Sequence, residues 1–538
     1  MVCYSTCRFI FYRINNDCCV SNDVNYCLPC VHPSFYGLLK SHITSLPRLW
    51  ILLRFLLMEK CSGFHALPVG GAVLLVLFPV IMGCNPHVVD KDIHPIVEGN
   101  NSYSISVEGM KPQSRWWMAL NDESLDALVV EALSDNLTLM QARARIEQAI
   151  AADIQARSFL YPEVFGRAAG ESEWRHDRKP DDTFNIGLGL SWEIDVWGRL
   201  SSAEKSTEYE VEASREELEA SALLLTSQVA ETYFQIIEQN LQLALLDRQM
   251  KVGETLLELT ELRFSYGEAS VVDVFQQRQQ LASTRSQIPI ARSRLQTLEN
   301  RLHVLLGKAP ESVPLKLADD FPQLPELPSM GIPLDLLQNR PDLKRIYNQL
   351  VAIDYRVAEA MADRLPRIQL NGSGGVKERL ATDGMFFSLL LGAVAPLLDW
   401  ERRSAEVEKR QAEFTEELAR YSEAYLTAIE EVENSLWQEQ YQVELLKTLE
   451  HQINIARANL TETRNRYQQG LTDYLPVLAA IQSLQQLERD ILSRRRQLIS
   501  IRITLYRALG GSPLMAGTYG PAASVQRGHA HVSEGVVK

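Results

Sequence analysis

The chain has 538 residues, of which 46% are hydrophobic and 23% charged, and its formal net charge is −14. This length is sufficient for a large folded core, and the acidic balance argues against nucleic acid as a partner. The sequence shows no nucleophile paired with a base and no His, Cys or Glu at metal-ligand spacing. Neither an enzyme nor a metal or cofactor site is therefore predicted.

The N-terminal segment 1–83 is predicted to be absent from the mature protein. Seven of the eight Cys precede position 62, yet no helical or strand periodicity precedes Met58. Residues 1–57 are therefore interpreted as a spurious N-terminal extension, with a disulfide or zinc framework as the alternative. Residues 58–83 have the layout of a lipoprotein signal peptide, because Lys60 supplies positive charge ahead of an apolar core. That core is too short for a comfortable transmembrane helix.

Cys84 is the predicted site of lipid attachment. It follows Ile81-Met82-Gly83, a run that resembles the bacterial lipobox except that Ile81 replaces the usual Leu. The alternative is a chance Cys behind an ordinary signal. An acyl chain adds about 0.8 kcal/mol of membrane affinity per buried CH₂. In lipoproteins an Asp after the Cys usually retains the protein at the inner membrane, so Asn85 favours the outer membrane.

The rest of the chain contains an internal duplication. Gly470 follows Gly267 at an offset of 203 (470 minus 267), and Pro513 and Trp400 follow Pro310 and Trp197 at the same offset. A constant offset over so much chain indicates a repeated structural unit. We predict five segments after Cys84: an N-terminal linker (84–115), a first repeat (116–310), an inter-repeat linker (311–332), a second repeat (333–513) and a disordered tail (514–538).

Each repeat is predicted to begin with two β-strands. In the segment from Phe184 to Trp192, large apolar residues alternate with Asn, Gly or Ser, a period-two pattern typical of a barrel wall that faces lipid. The other strands are expected at 163–170, 367–375 and 385–398. Four strands are too few to close a membrane barrel, so a membrane-spanning sheet requires several copies of the chain. A small soluble sheet buried against helices is the alternative.

Each pair of strands is followed by a helical hairpin. The segments 200–266 and 401–469 lack Pro and contain almost no Gly, which predicts helices of about 65 residues, or roughly 100 Å at ~1.5 Å per residue. Return helices are expected at 271–306 and 474–509. Pro289 should kink or interrupt the first return helix.

These features resemble the outer membrane factor family, the TolC-like channels of tripartite efflux pumps. The resemblance rests on the repeats, on the lipobox and on two motifs, Asn339-Arg340-Pro341-Asp342-Leu343 and the segment from Arg466 to Leu478. It is strongest to the lipoprotein branch, which serves pumps of the resistance-nodulation-division type. The family fold is mainly α with a transmembrane β part.

The resemblance implies a homotrimer with a 12-stranded β-barrel, four strands per chain, and a long periplasmic α-helical barrel. It places the protein in the outer membrane of a Gram-negative bacterium, lipid-anchored and extending into the periplasm. The implied partners are a periplasmic adaptor (membrane fusion protein), an inner-membrane pump and outer membrane lipid. The implied function is a passive exit duct that is opened at its helix tips.

The resemblance also assigns residues at the tips. The second hairpin would close the pore, with Asp473, Tyr474 and Leu475 as the gate. Tyr467 and Asp273 would form the latch between the hairpins through a hydrogen bond. Adaptor-contacting positions would be Gly267, Gly470, Leu471 and Thr472. Ala479 and Thr472 depart from relatives that carry an acid and an Arg there, so a less polar latch is expected. Asp473 as a solvated turn acid and Tyr467 as a packing aromatic are the alternatives.

Two other functions remain open from the sequence. A lipid-anchored periplasmic adaptor or a coiled-coil scaffold of an export system would also have a signal and long helices, although an adaptor normally has one hairpin. An exit duct for type I secretion is a further alternative. The exported substrate, whether drug, metal or protein, is not encoded in these patterns.

Overall fold

The computed structural model describes residues 86–97, 102–105, 115–174, 176, 181–310, 317–379 and 384–514. The predicted extension, the signal peptide, Cys84 and positions 515–538 of the tail lie outside these residues. Two short 3₁₀ turns accompany the following main elements: α1 (Glu123–Asp135), α2 (Leu137–Ser158), β1 (Glu163–Glu173), β2 (Asp181–Ile194), α3 (Arg199–Ser265), α4 (Val271–Leu305), α5 (Leu336–Asn339), α6 (Pro341–Ala362), β3 (Arg367–Arg379), β4 (Gly384–Val394), α7 (Arg402–Gln468) and α8 (Tyr474–Leu509).

The two predicted helical hairpins are confirmed. The first hairpin is α3–α4 and the second is α7–α8, and the start and end of α7 follow those of α3 by the sequence offset of 203 (402 minus 199, 468 minus 265). Both long helices begin after a left-handed residue, Gly198 with φ of 75° and Glu401 with φ of 64°. Pro289 lies inside α4, which continues unbroken, so the expected interruption does not occur.

The four strands form one antiparallel sheet in the order β1-β2-β3-β4. The alternation predicted for β2 is confirmed for its first part, because Phe184, Ile186 and Leu188 are all exposed on one face, whereas Leu190 and Trp192 are partly buried. Strand β4 also exposes a long apolar run, from Met385 to Leu391, interrupted only by Ser388. Within the described residues β1 pairs only with β2 and β4 only with β3. The sheet therefore has two unpaired edges.

Glycines allow the two central strands to approach closely. A Cβ on Gly187 would lie 2.5 Å from the carbonyl oxygen of Gly374, and a Cβ on Gly375 would overlap the carbonyl of Ile186. The run Asn371-Gly-Ser-Gly-Gly375 is thus part of β3 and has a packing role at this crossing.

Helix α3 is the centre of the helical packing. It contacts α2 and α4 of its own repeat and α6 and α8 of the other, while α7 contacts α6 and α8. The largest core, here called the waist cluster, joins the middle of α3 to the C-terminal ends of α4 and α8. It includes Trp116, Val229, Tyr233, Ile503 and Tyr506. Among the described residues, no helix combines the length and the apolar character required to cross a bilayer.

The motif at the start of the second repeat ties three helices together. Arg340 precedes α6 and donates to Glu431 of α7 at 2.7 Å, to Asp342 at 2.8 Å and to the carbonyl of Ala508 at 3.2 Å. Burial opposes ionisation of Asp342, but the Arg340 guanidinium outweighs it and lowers the pKa of this carboxyl. The motif therefore stabilises the junction of α6, α7 and α8.

The described part of the N-terminal segment lies along the second repeat. His87 is 2.7 Å from the buried Asp354 of α6, and the backbone N–H groups of Ile96 and Ser104 donate to Ser422 and Glu433 of α7. These contacts follow α6 and α7 from near the sheet towards the waist cluster.

Candidate functional site at the hairpin tips

Both hairpins turn at a left-handed glycine. Gly267 has a φ of 75° and Gly470 a φ of 70°, and a Cβ at either position would meet open space. The following residue closes the turn in each case: Glu268 donates its N–H to the carbonyl of Arg263, and Leu471 donates to that of Arg466, both at 2.9 Å. The backbone conformation, rather than crowding, requires glycine here.

The two turns lead into their return helices differently. Ser270 caps α4, and Asp273 completes a capping box by accepting the Ser270 N–H at 3.1 Å. Asp473 occupies the cap position of α8, but its side chain makes no cap hydrogen bond and is exposed. One carboxylate is therefore used locally, whereas the other faces solvent.

Equivalent aromatic and aliphatic positions have opposite environments. Phe264 is 47% exposed, whereas Tyr467, its equivalent at the offset of 203, is 4% exposed. Val271 is 45% exposed, whereas its equivalent Tyr474 is 1% exposed. The second tip thus turns two tyrosines towards the first hairpin, and the first tip presents its apolar residues outward.

Arg263 of the first hairpin binds the end of α7. Its guanidinium lies 4.5 Å from the ring centre of Tyr467, a cation–π contact. The same group donates to the carbonyls of Tyr467 at 3.1 Å and Gln468 at 3.3 Å. These carbonyls belong to the last turn of α7, where helix carbonyls lack internal partners and a cation is favourable.

Tyr474 makes the second link between the hairpins. Its hydroxyl donates to the side-chain carbonyl of Gln277 on α4, and Gln277 in turn donates to the carbonyl of Gly253 at 2.8 Å. Tyr467 lies edge-on to Tyr474 at 5.4 Å, and both belong to an apolar cluster with Leu256 of α3. Burial raises the pKa of Tyr474, and Tyr467 and Asp273 add to the rise.

The hydrogen bond predicted between Tyr467 and Asp273 is not formed within the chain. The Tyr467 hydroxyl is buried and has no hydrogen-bond partner among the described residues, while Asp273 accepts from Ser270. Burial raises the pKa of Tyr467; the Arg263 cation opposes this rise and the Asp273 carboxylate adds to it. Tyr467 therefore joins the hairpins through its ring, not through its hydroxyl.

The predicted gate residues separate into two groups. Asp473 and Leu475 are exposed at the tip, as is Leu471, while Thr472 is partly buried. Tyr474 lies instead between the hairpins, so its side chain is not in the exposed position expected of a residue that lines a pore. Its geometry suits a link, because the hydroxyl reaches across to α4.

A series of polar contacts continues this link above the tip. Gln482 donates to Gln280 at 2.8 Å, and Gln280 donates to Gln485 at 3.0 Å. Farther up, Arg489 donates to Gln249 at 3.0 Å and Arg496 donates to Glu238 at 2.6 Å. Each contact joins α8 to the first hairpin, and we call the series the polar ladder.

The sequence did not identify Arg263 or Gln277 as site residues. Arg263 belongs to a repeated motif, but its equivalent Arg466 is exposed and, among the described residues, pairs with Glu462 of its own helix at 3.4 Å. Gln277 is fully buried, and its equivalent at the offset of 203 is Ala480. A polar residue at a position where the other repeat has a small apolar one was the signal that could have identified Gln277.

Known proteins share both the sequence pattern and the fold. A model of the outer membrane efflux protein family matches residues 128–308 and 332–511. The pyoverdine export outer membrane protein OpmQ of Pseudomonas putida is 30% identical over 417 residues, which cover 74% of this chain and 88% of OpmQ. The cation efflux system protein CusC of Escherichia coli is 26% identical over 416 residues, with 74% and 88% covered.

Solved structures agree. The outer-membrane channel OprN superposes with a TM-score of 0.74 at 25% identity, covering 79% of this chain and 99% of that chain. A CusC structure gives a TM-score of 0.73 at 23% identity, covering 79% and 100%, and shows the same fold. The chain therefore belongs to the outer membrane efflux protein family and has a TolC-like fold. It is an efflux channel component of the outer membrane that extends into the periplasm.

Proposed function

We propose that this chain is one subunit of a homotrimeric exit duct in a tripartite efflux system, anchored by lipid at Cys84 and without enzymatic activity. The observation that carries the proposal is a sheet with two unpaired edges and an exposed apolar face, continuous with two long hairpins. In lipid, the unpaired backbone groups of an open edge are unfavourable. The edges β1 and β4 therefore call for neighbouring copies.

Strand number favours three copies. One chain supplies four strands, and known membrane barrels begin at about eight. A barrel of about eight strands has an interior filled by its own side chains, whereas wider barrels leave an aqueous lumen. Three copies give about twelve strands, which suits a duct.

The tips are the part that opens. Asp473 and Leu475 of three copies would surround the periplasmic entrance, where a ring of carboxylates favours cations and an apolar ring resists wetting. Tyr474 with Gln277, and Tyr467 with Arg263, hold the second hairpin against the first. Asp273 would support this latch by fixing the start of α4. A periplasmic adaptor would contact Gly267, Gly470, Leu471 and Thr472, and an inner-membrane pump would supply the energy.

The relatives carry different cargo. Their names describe pyoverdine export, toluene efflux and cation efflux. For this chain we propose a duct with little selectivity, since the exposed tip residues are few and the choice of cargo belongs to the pump. The duplicated hairpin and the exposed apolar face of the sheet both argue against a lipid-anchored adaptor.

The test is the state of the protein in a membrane fraction. The outer membrane of expressing cells should contain a detergent-extractable trimer that dissociates into monomers only on heating, and palmitate label should be lost in Cys84→Ser. A monomer that remains soluble without detergent would overturn the channel assignment. Loss of the trimer with retention of label would overturn the trimer alone.

A further inference from the structure

We propose that the face of α7 around Trp437 and Tyr441 docks onto the basic face of α4 of a second copy. This inference rests on the proposed trimer and names the contact that sets neighbouring copies in register. Both faces are open to solvent in the single chain, and neither is used by the tip links.

The face of α7 is a stripe with a regular spacing. Its members recur at alternating steps of four and three residues, the 3.5-residue repeat of a helix that packs along a partner helix. All are exposed, and they are Glu423, Thr427, Glu430, Asn434, Trp437, Tyr441, Glu444 and Thr448. The opposite side of α7 packs on its own chain through residues such as Tyr425, Val432 and Leu446.

Two large rings stand at the centre of the stripe. Trp437 is 39% exposed and Tyr441 is 59% exposed, and the rings stack at 5.9 Å with an angle of 20° between their planes. Glu430 and Glu444 flank them, and Lys447, one turn nearer the tip, is the nearby cation. Stacked aromatic rings between acids form a surface suited to arginine.

Helix α4 has the complementary face. Arg292, Arg294 and Arg301 are exposed, and none of them forms an ion pair with another residue in the described part of the chain. Between them lie Ser293, Gln296 and Thr297, which are small or slender and also exposed. This face of α4 therefore has guanidinium groups without ion-pair partners in the described part of the chain, and the small residues between them leave room for the large rings of α7.

The two faces lie at the same height above the tips. Trp437 is as far along the sequence from the turn glycine Gly470 as Asn300 is from Gly267, since 470 minus 437 equals 300 minus 267. By the same count, Tyr441 matches Gln296, and Glu444 matches the position between Arg292 and Arg294. In a cyclic assembly whose axis is parallel to the helices, each residue has the same height along that axis in every copy. Residues at equal height therefore meet.

The contact must be between copies. In the same chain α4 packs mainly on α3 and meets α8 near the tip, whereas α7 packs on α6 and α8, so α4 and α7 of one chain are on opposite sides of the helical layer. A second copy placed beside the first brings its α4 next to α7. The charges then oppose each other, acidic on α7 and basic on α4, and arginine contacts both carboxylate and ring.

Cross-linking tests the register directly. The double variant Tyr441→Cys/Gln296→Cys, in the full-length protein in membranes, is treated with a short bismaleimide. We expect covalent dimers and trimers that resist heating. The matched control is Tyr441→Cys/Gln279→Cys, in which the second cysteine replaces another exposed glutamine of α4 that lies much nearer the tip; it should remain monomeric.

Each outcome decides between the two proposals. Trimers without the 441–296 cross-link, or with equal cross-linking of the control, would overturn this contact but leave the trimeric duct. Absence of any trimer in the parent protein would overturn both. Charge exchange gives a second readout: Glu444→Arg should lower the trimer-to-monomer ratio roughly tenfold, and Arg292→Glu/Arg294→Glu should restore it.

The control for charge exchange is Glu258→Arg. Glu258 is exposed on α3, which has helices of its own chain on both sides. This variant should leave the trimer unchanged. An equal loss of trimer in Glu258→Arg, or no recovery in the triple variant, would contradict the proposed contact.

Discussion

The two hairpins meet in two chemically different ways. At the waist cluster α3 and α8 share buried apolar side chains, and the ring of Trp116, from the turn before α1, stacks on that of Tyr506 at 5.6 Å. Below it, contacts between α8 and the first hairpin are mainly the hydrogen bonds and ion pairs of the polar ladder. Only at the tip does an apolar cluster return, around Tyr467 and Tyr474.

This difference shows where movement costs least. Separating an apolar core exposes its whole surface to water, at roughly 25 cal/mol per Å². A hydrogen bond between side chains can be exchanged for one to water, so its net contribution is only about 0.5–1.5 kcal/mol. The hairpins can therefore separate from the tip upward while the waist cluster remains intact, and the tip links decide when they do so.

The largest expected effect is at the waist. Trp116→Ala removes a ring that is 1% exposed and whose N–H donates to Thr226 at 3.3 Å. We expect a loss of about 3–5 kcal/mol in the free energy of unfolding, measured by denaturant unfolding of the detergent-solubilised protein. Met118→Ala, at an exposed position of the same turn, is the control. Equal loss in both variants would contradict a dominant waist core.

A smaller but functional effect is expected at the tip. Gln277→Leu leaves the buried Tyr474 hydroxyl without its acceptor, which costs about 1–3 kcal/mol. The closed tip should weaken, so cells should become sensitive to large antibiotics that the outer membrane normally excludes. The control is Gln279→Leu, which alters an exposed glutamine of the same helix. Unchanged sensitivity in Gln277→Leu would show that this link does not hold the tip.

The cation–π contact should contribute less. Arg263→Gln removes the charge over the Tyr467 ring and weakens the bonds to the last carbonyls of α7, an expected loss of about 1 kcal/mol. Antibiotic sensitivity should rise by less than in Gln277→Leu. Arg466→Gln, the equivalent exposed position, serves as the comparison. If cells with Arg466→Gln were more sensitive to antibiotics than cells with Arg263→Gln, the assignment of the link to Arg263 would be wrong.

The smallest effect is expected for the hydroxyl of Tyr467. Because it is buried without a partner, Tyr467→Phe should change the free energy of unfolding by less than about 0.5 kcal/mol. Tyr467→Leu, which removes the ring, should weaken the tip. A large loss in the Phe variant would indicate a hydrogen bond of this hydroxyl in the assembled protein, such as the one predicted with Asp273.

The tip should also respond to alkaline pH. Burial raises the pKa of Tyr474 above its ordinary value of about 10. Because the pKa of Tyr474 is higher in the folded tip than in the unfolded chain, its contribution to stability is fully present below the unfolded pKa. This contribution is lost as the pH rises through the pKa of the folded state. Conductance should therefore be constant from pH 6 to about 9 and rise above about 10. Tyr474→Phe should weaken this dependence and leave the contribution of Tyr467, whose pKa is also raised by burial.

The sequence predicted the architecture well because its signals are long. A constant offset of 203 and helix-forming segments of about 65 residues leave few alternative folds, and the helix bounds agree within one residue. The predicted ends of the strands were less accurate. Strand β1 reaches Glu173, beyond the predicted end, and β4 stops at Val394, before it, because pairing between strands rather than local pattern fixes their ends.

The tip contacts could not be predicted in the same way. Asp273 was expected to accept from Tyr467, but within the chain its carboxylate accepts the Ser270 N–H in a capping box. The resemblance made Tyr474 a gate residue, yet within the chain its side chain lies between the hairpins and donates to Gln277. Which side of a helix faces its neighbour depends on packing at a distance, which one sequence does not contain.

The most direct test of opening at the tips is the single-channel conductance of the purified protein in planar bilayers. Wild-type channels should have a small conductance, and Gln277→Leu channels a larger one. When Gln280→Cys/Gln482→Cys is added to Gln277→Leu and the two cysteines are joined by a cleavable cross-linker, the conductance should become small again. Cleavage of the linker should restore the larger conductance. Equal conductance in all of these states would contradict opening by separation of the two hairpins at their tips.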